Sequence, residues 1–509
     1  MLKTVRLSLR DLLGDAYIGA MLDSACFFGL GARAEKAADE KVDFLPAEVI
    51  ERWDAWLGHV GRPVARGLPG AMAGAPTRSF ARAARQEACP LACFGPYRIG
   101  ESGKLFFAAK SEHYHVPLGH RFPGYRLLEN ARALGVSNAS HNNHRGCITR
   151  LLEVELVKQA GGLDAAGAAS ALASEAPGLM NRVINLETGS LAVEAGLKMM
   201  LARFHRLDAS FPAPEFHSRV PVFLTLAGDG RGGSANYHGT TVLAQTLRGL
   251  WPDLAERAAV SGGWRVEPVA VNDIGDFRRA VERFEQPPFK VAGFIHEIVL
   301  MNYSAVLLTR DYLAAAYEIC RQAGIPVLVD EIQSCMWCDE MFLFRRYGLK
   351  PDFAVIGKGF PGGEYPASKI LVSAPYDNLN QFGALVTNGQ EELASLACLV
   401  TMAYVRANGA HLAGIGAQYQ ERLGELPREF PAIVRKIEGL GLLEAVSFHT
   451  VDDATRFANL LAGRGIDISV QTYKSECPPA TLTKMPVISS RKMIDFVVDQ
   501  MRAVLRGMA

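Results

Sequence analysis

An acid and a base each follow a short apolar run near the middle of the chain. Asp330 ends the apolar part of VLVDEIQ, and Lys358 follows AVIG in AVIGKGFPGG, 28 residues later (358 − 330). A lone lysine among glycines can act as an amine nucleophile toward an aldehyde once its surroundings exclude water. A carboxylate at the end of a strand can face a pyridine nitrogen. Together these residues predict a site that binds pyridoxal 5′-phosphate (PLP) as a Schiff base on Lys358.

Three further segments carry groups that suit the same cofactor. Gly189 and Ser190 stand at the start of a predicted helix in ETGSLAVEAGLK, where free backbone amides and a hydroxyl can hold a phosphate. Tyr237 in ANYHGTT can stack on a flat ring, and Gln333 can donate to a phenolic oxygen. Taken singly, the glycine and serine also fit an ordinary helix N-cap, and the tyrosine also fits a core or turn position.

The elements around these residues predict an α/β fold. Short buried strands alternate with helices between about Val183 and Ile370, which is typical of a mostly parallel sheet covered on both faces. The helix before VLVDE is expected to end at Gly324 and Pro326. The strand candidates are PVFLTLAG, VAGFIHEIVL, GIPVLVDE and PDFAVIG.

The pattern along the chain divides it into four parts. GPYRIGESGKLFFAA, which begins at Gly95, predicts a hairpin. We read the apolar stretch from Tyr17 to Ala32 as a buried helix. The parts are a helical N-terminal extension (1–94), the start of a small domain with a crossover (95–180), a PLP-binding large domain (181–405), and a C-terminal α+β small domain (406–509).

Composition limits the possible partners. The 509 residues include 54 basic and 53 acidic side chains, a balance that does not favour binding to nucleic acid or to a membrane surface. Nine cysteines, an odd number without a paired framework, indicate reduced thiols and a cytoplasmic location. Cys335 and Cys338 have the spacing of a redox or zinc pair, but without a second pair we expect them to serve packing, and we predict no metal.

The order of these motifs resembles the class III aminotransferases, which are PLP-dependent enzymes of fold type I. The resemblance rests on ETGSLAVEAGLK, YHGTT, Glu297, DEIQ, MFLFRRYGLKPDFAVIGKGFPGGEYP and VTNG. It implies a seven-stranded sheet and a smaller C-terminal domain, with Lys358 as the Schiff-base lysine and Glu297 beside the cofactor. It also implies a homodimer in which Thr387 reaches the phosphate bound by the neighbouring subunit. Asp330, Gln333, Gly189, Ser190 and Tyr237 would take the roles described above.

Several positions depart from the family pattern. Leu300 and Asn302 stand where the family has a glutamine and a second acid, and TLTKMPVISS offers Lys484 in place of the arginine that pairs with that acid. A lysine cannot make the planar bidentate contact of an arginine. We therefore predict a PLP-dependent aminotransferase for a small amine or amino acid. A lyase, aminomutase or epimerase of the same family is the alternative.

Other readings of the sequence belong to different classes of protein. GDGRGG, from Gly228 to Gly233, fits a dinucleotide-binding pattern, but no helix opens directly after it. His113, His115, His120, His141 and His144 can ligate a metal, line a cleft or contact substrate. A degenerate PLP fold can also serve as a scaffold, although a scaffold has no need for Asp330, Gln333 and Lys358 together.

Overall fold

The structure is a computed structural model that describes residues 2–70, 72, 74–83, 85–139, 141–471 and 477–509. Its N-terminal part consists of short helices with a small two-stranded ladder. The elements of this part are β1 (Arg6–Leu7), α1 (Leu9–Leu13), α2 (Asp15–Phe27), α3 (Gly31–Asp39), β2 (Val42–Asp43), α4 (Ala47–Trp56) and α5 (Arg78–Ala83).

A three-stranded meander and a group of helices follow. The meander pairs β3 with β4 and β4 with β5, both antiparallel, so the predicted hairpin is confirmed and a further strand precedes it. The elements are β3 (Pro90–Phe94), β4 (Tyr97–Gly100), β5 (Leu105–Ala108), the single turn α6 (Ser111–Tyr114), α7 (Arg126–Ala133), α8 (Cys147–Gly161) and α9 (Ala165–Leu172).

The central part alternates strands and helices. The elements up to the acid are β6 (Met180–Leu186), α10 (Gly189–Leu201), β7 (Val220–Ala227), α11 (Val242–Leu247), α12 (Pro252–Val260), β8 (Arg265–Ala270), α13 (Ile274–Phe284), β9 (Phe289–His296), β10 (Val299–Leu300), β11 (Val306–Leu307), α14 (Arg310–Ala323) and β12 (Val327–Asp330). Those that follow are α15 (Leu343–Arg346), β13 (Phe353–Ile356), β14 (Ser368–Ser373) and α16 (Glu392–Ala407).

Seven of the described strands form one sheet in the order β6-β14-β13-β12-β9-β7-β8. All neighbours are parallel except β14, which runs antiparallel to both β13 and β6. β12 and β13 are buried along their whole lengths, which explains their continuous apolar sequences. The predicted α/β class with a mostly parallel seven-stranded sheet is confirmed. All four strand candidates are present, with β6, β8 and β14 in addition.

The C-terminal part is a smaller unit of helices and a four-stranded antiparallel sheet in the order β15-β16-β19-β18. Its strand β17 instead pairs in parallel with β5, so the N-terminal meander gains its fourth strand from the end of the chain. The elements are α17 (Gly409–Leu423), α18 (Leu426–Glu429), β15 (Val434–Leu440), β16 (Leu443–Phe448), α19 (Val451–Gly463), β17 (Ile466–Asp467), β18 (Ser469–Val470), β19 (Ala480–Lys484) and α20 (Arg491–Met508).

Two local expectations need correction. The stretch from Tyr17 to Ala32 is helical but not buried, because α2 buries only Ile18 and Ala25 while Phe27 is 85% exposed. VAGFIHEIVL forms two strands, because the chain leaves the sheet after His296 and continues in the short β10. By contrast, α14 ends at Ala323 with Gly324 in the left-handed conformation, as expected for a glycine C-cap.

Within the described residues, we find no single helix long and apolar enough to cross a bilayer. One bent pair, Glu392–Ala407 with Gly409–Glu429, passes the length and composition criteria together, with an angle of 71° between its halves.

Trp53 of α4 is expected to anchor the N-terminal helices to the rest of the protein. Its side chain is fully buried, its ring lies so close to Gly95 that a Cβ there would clash, and its carbonyl accepts from the hydroxyl of Tyr97 at 2.6 Å. Trp53→Ala is expected to lower the free energy of unfolding by about 3–5 kcal/mol, the usual cost of removing a buried tryptophan. Chemical unfolding followed by circular dichroism measures this change. The half-exposed Trp251, replaced in the same way, should lose less than about 1 kcal/mol.

Candidate active site

The sheet places Lys358 in a cavity at the carboxyl ends of its strands. Lys358 lies two residues beyond the end of β13, and Asp330 is the last residue of β12. The cavity has a volume of about 540 Å³. Five of the predicted site residues line it: Gly189, Ser190, Tyr237, Gln333 and Lys358. Open α/β sheets place their ligands at this edge.

Lys358 is held by a chain of hydrogen bonds. Its Nζ donates to Oε1 of Gln333 at 3.1 Å, and Nε2 of Gln333 donates to Oε1 of the buried Glu297 at 2.8 Å. Burial lowers the pKa of Lys358 from 10.5 to about 8, against the opposing effect of the carboxylates of Glu297 and Asp330. Gln333 and Glu297 therefore orient the partly deprotonated amine of Lys358, and all three are predicted site residues.

Asp330 is fixed from two sides. Its Oδ2 lies 2.9 Å from Nδ1 of His238, and its Oδ1 accepts from the backbone N–H of Ile332 at 3.0 Å. Both side chains of the acid–histidine pair are 1% exposed. A buried carboxylate so oriented suits a cationic ring nitrogen. The sequence pointed to the tyrosine of YHGTT, whereas the adjacent His238 contacts the acid.

The start of α10 forms a cradle for an anion. Thr188 is the N-cap of α10, and Oγ of Ser190 accepts from the backbone N–H of Thr240 at 3.0 Å. Gly239 has a φ of +114°, and a Cβ on it would approach the Cα of Ser190 to 2.7 Å, so this loop requires a glycine. Backbone amides at a helix start, together with two hydroxyls, can hold a phosphate group.

Tyr237 lies in the cavity wall with a cation on its ring. The guanidinium carbon of Arg248 is 5.1 Å from the ring centroid. Because Arg248 occupies one face of the ring, stacking on a planar ligand must use the other. The stacking role of Tyr237 stays a prediction.

A left-handed turn lies over Lys358. Ser111, Glu112, His113 and Tyr114 all have φ between +45° and +79°, a conformation that four successive non-glycine residues adopt only under strain from their surroundings. The turn places the ring of Tyr114 4.9 Å from Nζ of Lys358.

The turn and the residue after it bring two histidines to the cavity, His113 and His115. Burial, together with the charges of Lys358, Lys110 and Lys484, lowers the pKa of His113 to about 3. Burial also lowers the pKa of His115. Both imidazoles are therefore neutral near pH 7, and they can hydrogen-bond a ligand without adding positive charge.

A second lysine lies directly behind the first. Lys484, the last residue of β19, is fully buried and donates to the carbonyl of Gln333. Its Nζ is 3.6 Å from the ring centroid of Trp337 and 4.5 Å from that of Tyr114. Burial and the charge of Lys358 hold the pKa of Lys484 well below its usual value. The sequence TLTKMPVISS does not predict that Lys484 lies here, because this position depends on packing between distant segments.

Three residues singled out in the sequence lie elsewhere. Thr387 is exposed and is not among the residues that line the Lys358 cavity. Leu300 is buried in β10, and Asn302 is buried in the turn between β10 and β11. No contact from any of the three to Lys358 is recorded among the described residues.

The remaining motifs lie in different parts of the structure. His120 lies beside Glu112, with Nε2 to Oε1 at 3.3 Å, whereas His141 and His144 are exposed on a distant turn. In the ranges that the structure describes, no three acidic, histidine or cysteine side chains form a metal-binding group. Cys335 and Cys338 are both buried free thiols, and burial raises the pKa of each. GDGRGG forms a loop after β7.

Lys358 is expected to react as a free amine from about pH 8 upward. At pH 8 about half of its Nζ should be deprotonated, against about 0.3% for a lysine whose pKa stays at 10.5. Reductive methylation of the cofactor-free protein, followed by peptide mass spectrometry across pH, measures this, with the exposed Lys350 as internal control. The unfolded chain retains a proton that the folded chain has lost between pH 8 and 10.5, so stability should rise with pH there. Half-maximal labelling near pH 10 would contradict the assignment.

The groups in the cavity match the shape and charge of PLP. Lys358 can take up an aldehyde, the buried Asp330 suits the ring nitrogen, the start of α10 suits the phosphate, and Tyr237 suits a ring face. Glycines at the points of closest approach leave room for such a ligand.

Comparison with known proteins agrees with the geometry. A family model for class III aminotransferases matches residues 157–494. The putrescine aminotransferase of Pectobacterium atrosepticum is 28% identical over 226 residues, which are 42% of this chain and 48% of that protein. The chain spans about half the length of the curated relatives it matches.

Solved structures share the fold. A transaminase from the marine bacterium Virgibacillus superposes with a TM-score of 0.65 at 16% identity, covering 85% of this chain and 97% of that one. An ornithine aminotransferase from Toxoplasma gondii, whose active site holds PLP at partial occupancy, gives a TM-score of 0.61 at 20% identity and covers 82% of this chain and 89% of that one. At these identities the likeness concerns the fold.

Proposed function

Because the chain belongs to the class III aminotransferases, a family of PLP-dependent enzymes, we propose that it is an aminotransferase that moves the amino group of a small amine or amino acid. The observation that carries this proposal is the convergence of Lys358, held by Gln333 and Glu297, with the buried pair of Asp330 and His238 at one cavity. A binding protein has no need for an oriented amine beside a buried carboxylate.

When bound, PLP supplies an aldehyde that accepts an amine and a cationic ring that stabilises negative charge on the adjacent carbon. Within this chain, Asp330 would face the ring nitrogen, and His238 orients the carboxylate. Lys358 is the residue that carries the proton. With a pKa near 8, its Nζ can accept a proton from carbon and return it in the next step.

Lys358 is held by one hydrogen-bond acceptor, Gln333, which is itself fixed by its neighbours. Nζ donates to Gln333, and the amide of Gln333 is itself fixed by Glu297 and by Lys484 on the backbone side. The neutral imidazoles of His113 and His115 line the substrate side. Such a wall favours substrates recognised by hydrogen bonds.

Transamination is favoured over elimination, mutase or epimerase chemistry by the proteins that resemble the chain. The curated relatives are aminotransferases, and the family match covers the motifs from β6 to the Lys358 loop. The departures at Leu300 and Asn302 lie in β10 and in the buried turn after it, and neither residue lines the cavity at Lys358. They therefore bear on which acceptor is used more than on the reaction type.

The test is a panel of amines mixed with the PLP-loaded protein without an acceptor. Transamination should convert the cofactor to its pyridoxamine form, seen as loss of visible absorbance, in amounts equal to the carbonyl product. Addition of a 2-oxo acid or an aldehyde should restore the original spectrum. Ammonia release without conversion would show a lyase, and racemised substrate with an unchanged spectrum would show an epimerase.

We also propose a cytoplasmic homodimer in which Thr387 reaches the phosphate held by the partner's α10. Support comes from the exposure of Thr387 and of the neighbouring Phe382, which is 79% exposed, and from the family resemblance. Sedimentation analysis gives the mass. Thr387→Val should weaken PLP binding about tenfold, the loss of one hydrogen bond to a charged group. A monomer with full affinity for PLP would exclude this arrangement.

A further inference from the structure

Two more cavities adjoin the one at Lys358. The first, which we call the junction, has a volume of about 420 Å³ and shares Gly363 and Glu364 with the Lys358 cavity. The second, the outer groove, has a volume of about 540 Å³ and shares Leu91, Ala92 and Arg121 with the junction. Because neighbouring spaces share wall residues, the junction lies between the cavity at Lys358 and the outer groove beside the N-terminal helices.

The polarity of the walls changes along this series. The cavity at Lys358 carries carboxylates, hydroxyls and imidazoles beside apolar groups, and the junction adds His120 and Arg121, whereas the outer groove is lined mainly by apolar side chains. Its apolar walls include Trp56, Val64, Leu91, Phe94, Ile99 and Leu105. Val64 and Leu91 are 43% and 41% exposed, so the groove presents apolar surface to solvent when it is empty.

The charged groups of the outer groove are mostly already paired. Arg98 forms ion pairs with Glu112 and Asp467, and its side chain is 5% exposed. Arg121 lines both the groove and the junction and is exposed. The floor of the groove therefore offers apolar contact with a single accessible cation at its inner rim.

The groove belongs to a part of the chain that the family match does not reach. All of its lining residues lie between positions 56 and 121, before the matched segment 157–494. Trp56, His59 and Val64 come from α4 and the connector, and the others come from the meander and from Arg121 beyond it. The N-terminal extension thus contributes walls to a groove that neighbours the cavity at Lys358 through the junction.

We propose that the outer groove binds the apolar arm of the amine substrate, whose amino group lies at Lys358 and whose chain crosses the junction. This inference rests on the proposed aminotransferase function and extends its substrates from small amines to primary amines with a long apolar chain. A second ammonium at the far end is disfavoured, because it would lose water among apolar walls.

The first test is a series of n-alkylamines from butylamine to decylamine. The rate constant for cofactor conversion divided by the apparent dissociation constant should rise up to about fourfold per methylene once the chain enters the groove. The same ratio should be at least tenfold lower for 1,8-diaminooctane than for octylamine. A flat series, or equal values for the diamine and the monoamine, would overturn the proposal.

Variants connect the effect to the groove. Ala92→Trp adds a large ring at an exposed position shared by the junction and the groove, and Leu91→Asp places a charge in the apolar wall. Both should remove the chain-length dependence while leaving butylamine unchanged. Ala169→Trp, on the exposed side of α9, is the matched control and should behave as wild type.

A binding measurement without reaction distinguishes the groove proposal from the aminotransferase proposal on which it rests. Titration calorimetry with 1-decanol, which has no amine, should show binding to the wild type and to Ala169→Trp, and at least tenfold weaker binding to Ala92→Trp. If no amine converts the cofactor, the aminotransferase proposal fails while this titration still decides the groove. If butylamine reacts but decanol binds equally to both tryptophan variants, the groove proposal alone fails.

Discussion

Lys358→Ala is expected to abolish amine-dependent cofactor conversion, lowering its rate by about 10⁴-fold or more. The alanine removes both the group that attaches the cofactor and the base that moves the proton, and general base catalysis alone contributes about 10²–10⁴. The visible absorbance of the PLP-loaded protein should disappear as well. Stopped-flow absorbance with a reactive amine measures the rate, and reaction with borohydride measures the covalent attachment.

The variant is expected to remain folded. Among the described residues, Nζ makes one hydrogen bond, to Gln333, and a cation–π contact with Tyr114, and the backbone strain at φ +44° is the same for alanine as for lysine. Lys350→Ala, on the exposed loop before β13, is the matched control and should retain full activity. Retained turnover in Lys358→Ala would require another amine, and the buried Lys484 is the nearest candidate.

Asp330→Asn is expected to lower the rate of cofactor conversion by about 10²–10³-fold. The change keeps the size of the side chain but removes the negative charge that favours a protonated ring nitrogen, an electrostatic loss of the size seen when one preorganised group is removed. Single-turnover absorbance with a reactive amine gives the rate. Titration of PLP gives the affinity, which should fall less than the rate, because Lys358 and the start of α10 still bind the cofactor.

Replacing His238 tests the same site in a second way. An asparagine can still accept from Nδ1 of His238 through its oxygen, so the fold should tolerate Asp330→Asn. His238→Asn should reduce the rate less, by about tenfold, because it removes orientation but not charge. Asp311→Asn, on the exposed first turn of α14, is the control for a lost carboxylate. Equal losses in Asp330→Asn and Asp311→Asn would contradict the role of Asp330.

The sequence was sufficient to predict the residues that follow buried strands. Asp330 and Lys358 each end or follow an apolar run of four residues, and such runs become neighbouring strands of a parallel sheet whose carboxyl ends meet. Gly189 and Ser190 were predictable for a similar reason, because a helix start is a local feature. Each of these positions depends on its immediate neighbours.

The residues that could not be predicted depend on contacts between distant segments. Lys484 reaches Gln333 across 151 positions, and Tyr114 reaches Lys358 only because the chain turns with a left-handed twist. β17 completes a sheet whose other strands lie far earlier in the chain. Periodicity describes which face of an element is apolar, but it does not identify the partner of that face.

Lys484 connects the C-terminal sheet to the residue that orients the reacting amine. Its backbone belongs to β19 of the C-terminal sheet, its carbonyl accepts from the hydroxyl of Ser111, and its amine holds the backbone of Gln333 in the large unit. Indole N–H of Trp337 donates to the next residue, Met485, at 3.0 Å. The C-terminal sheet therefore holds in place, through one buried amine, the residue whose amide orients Lys358.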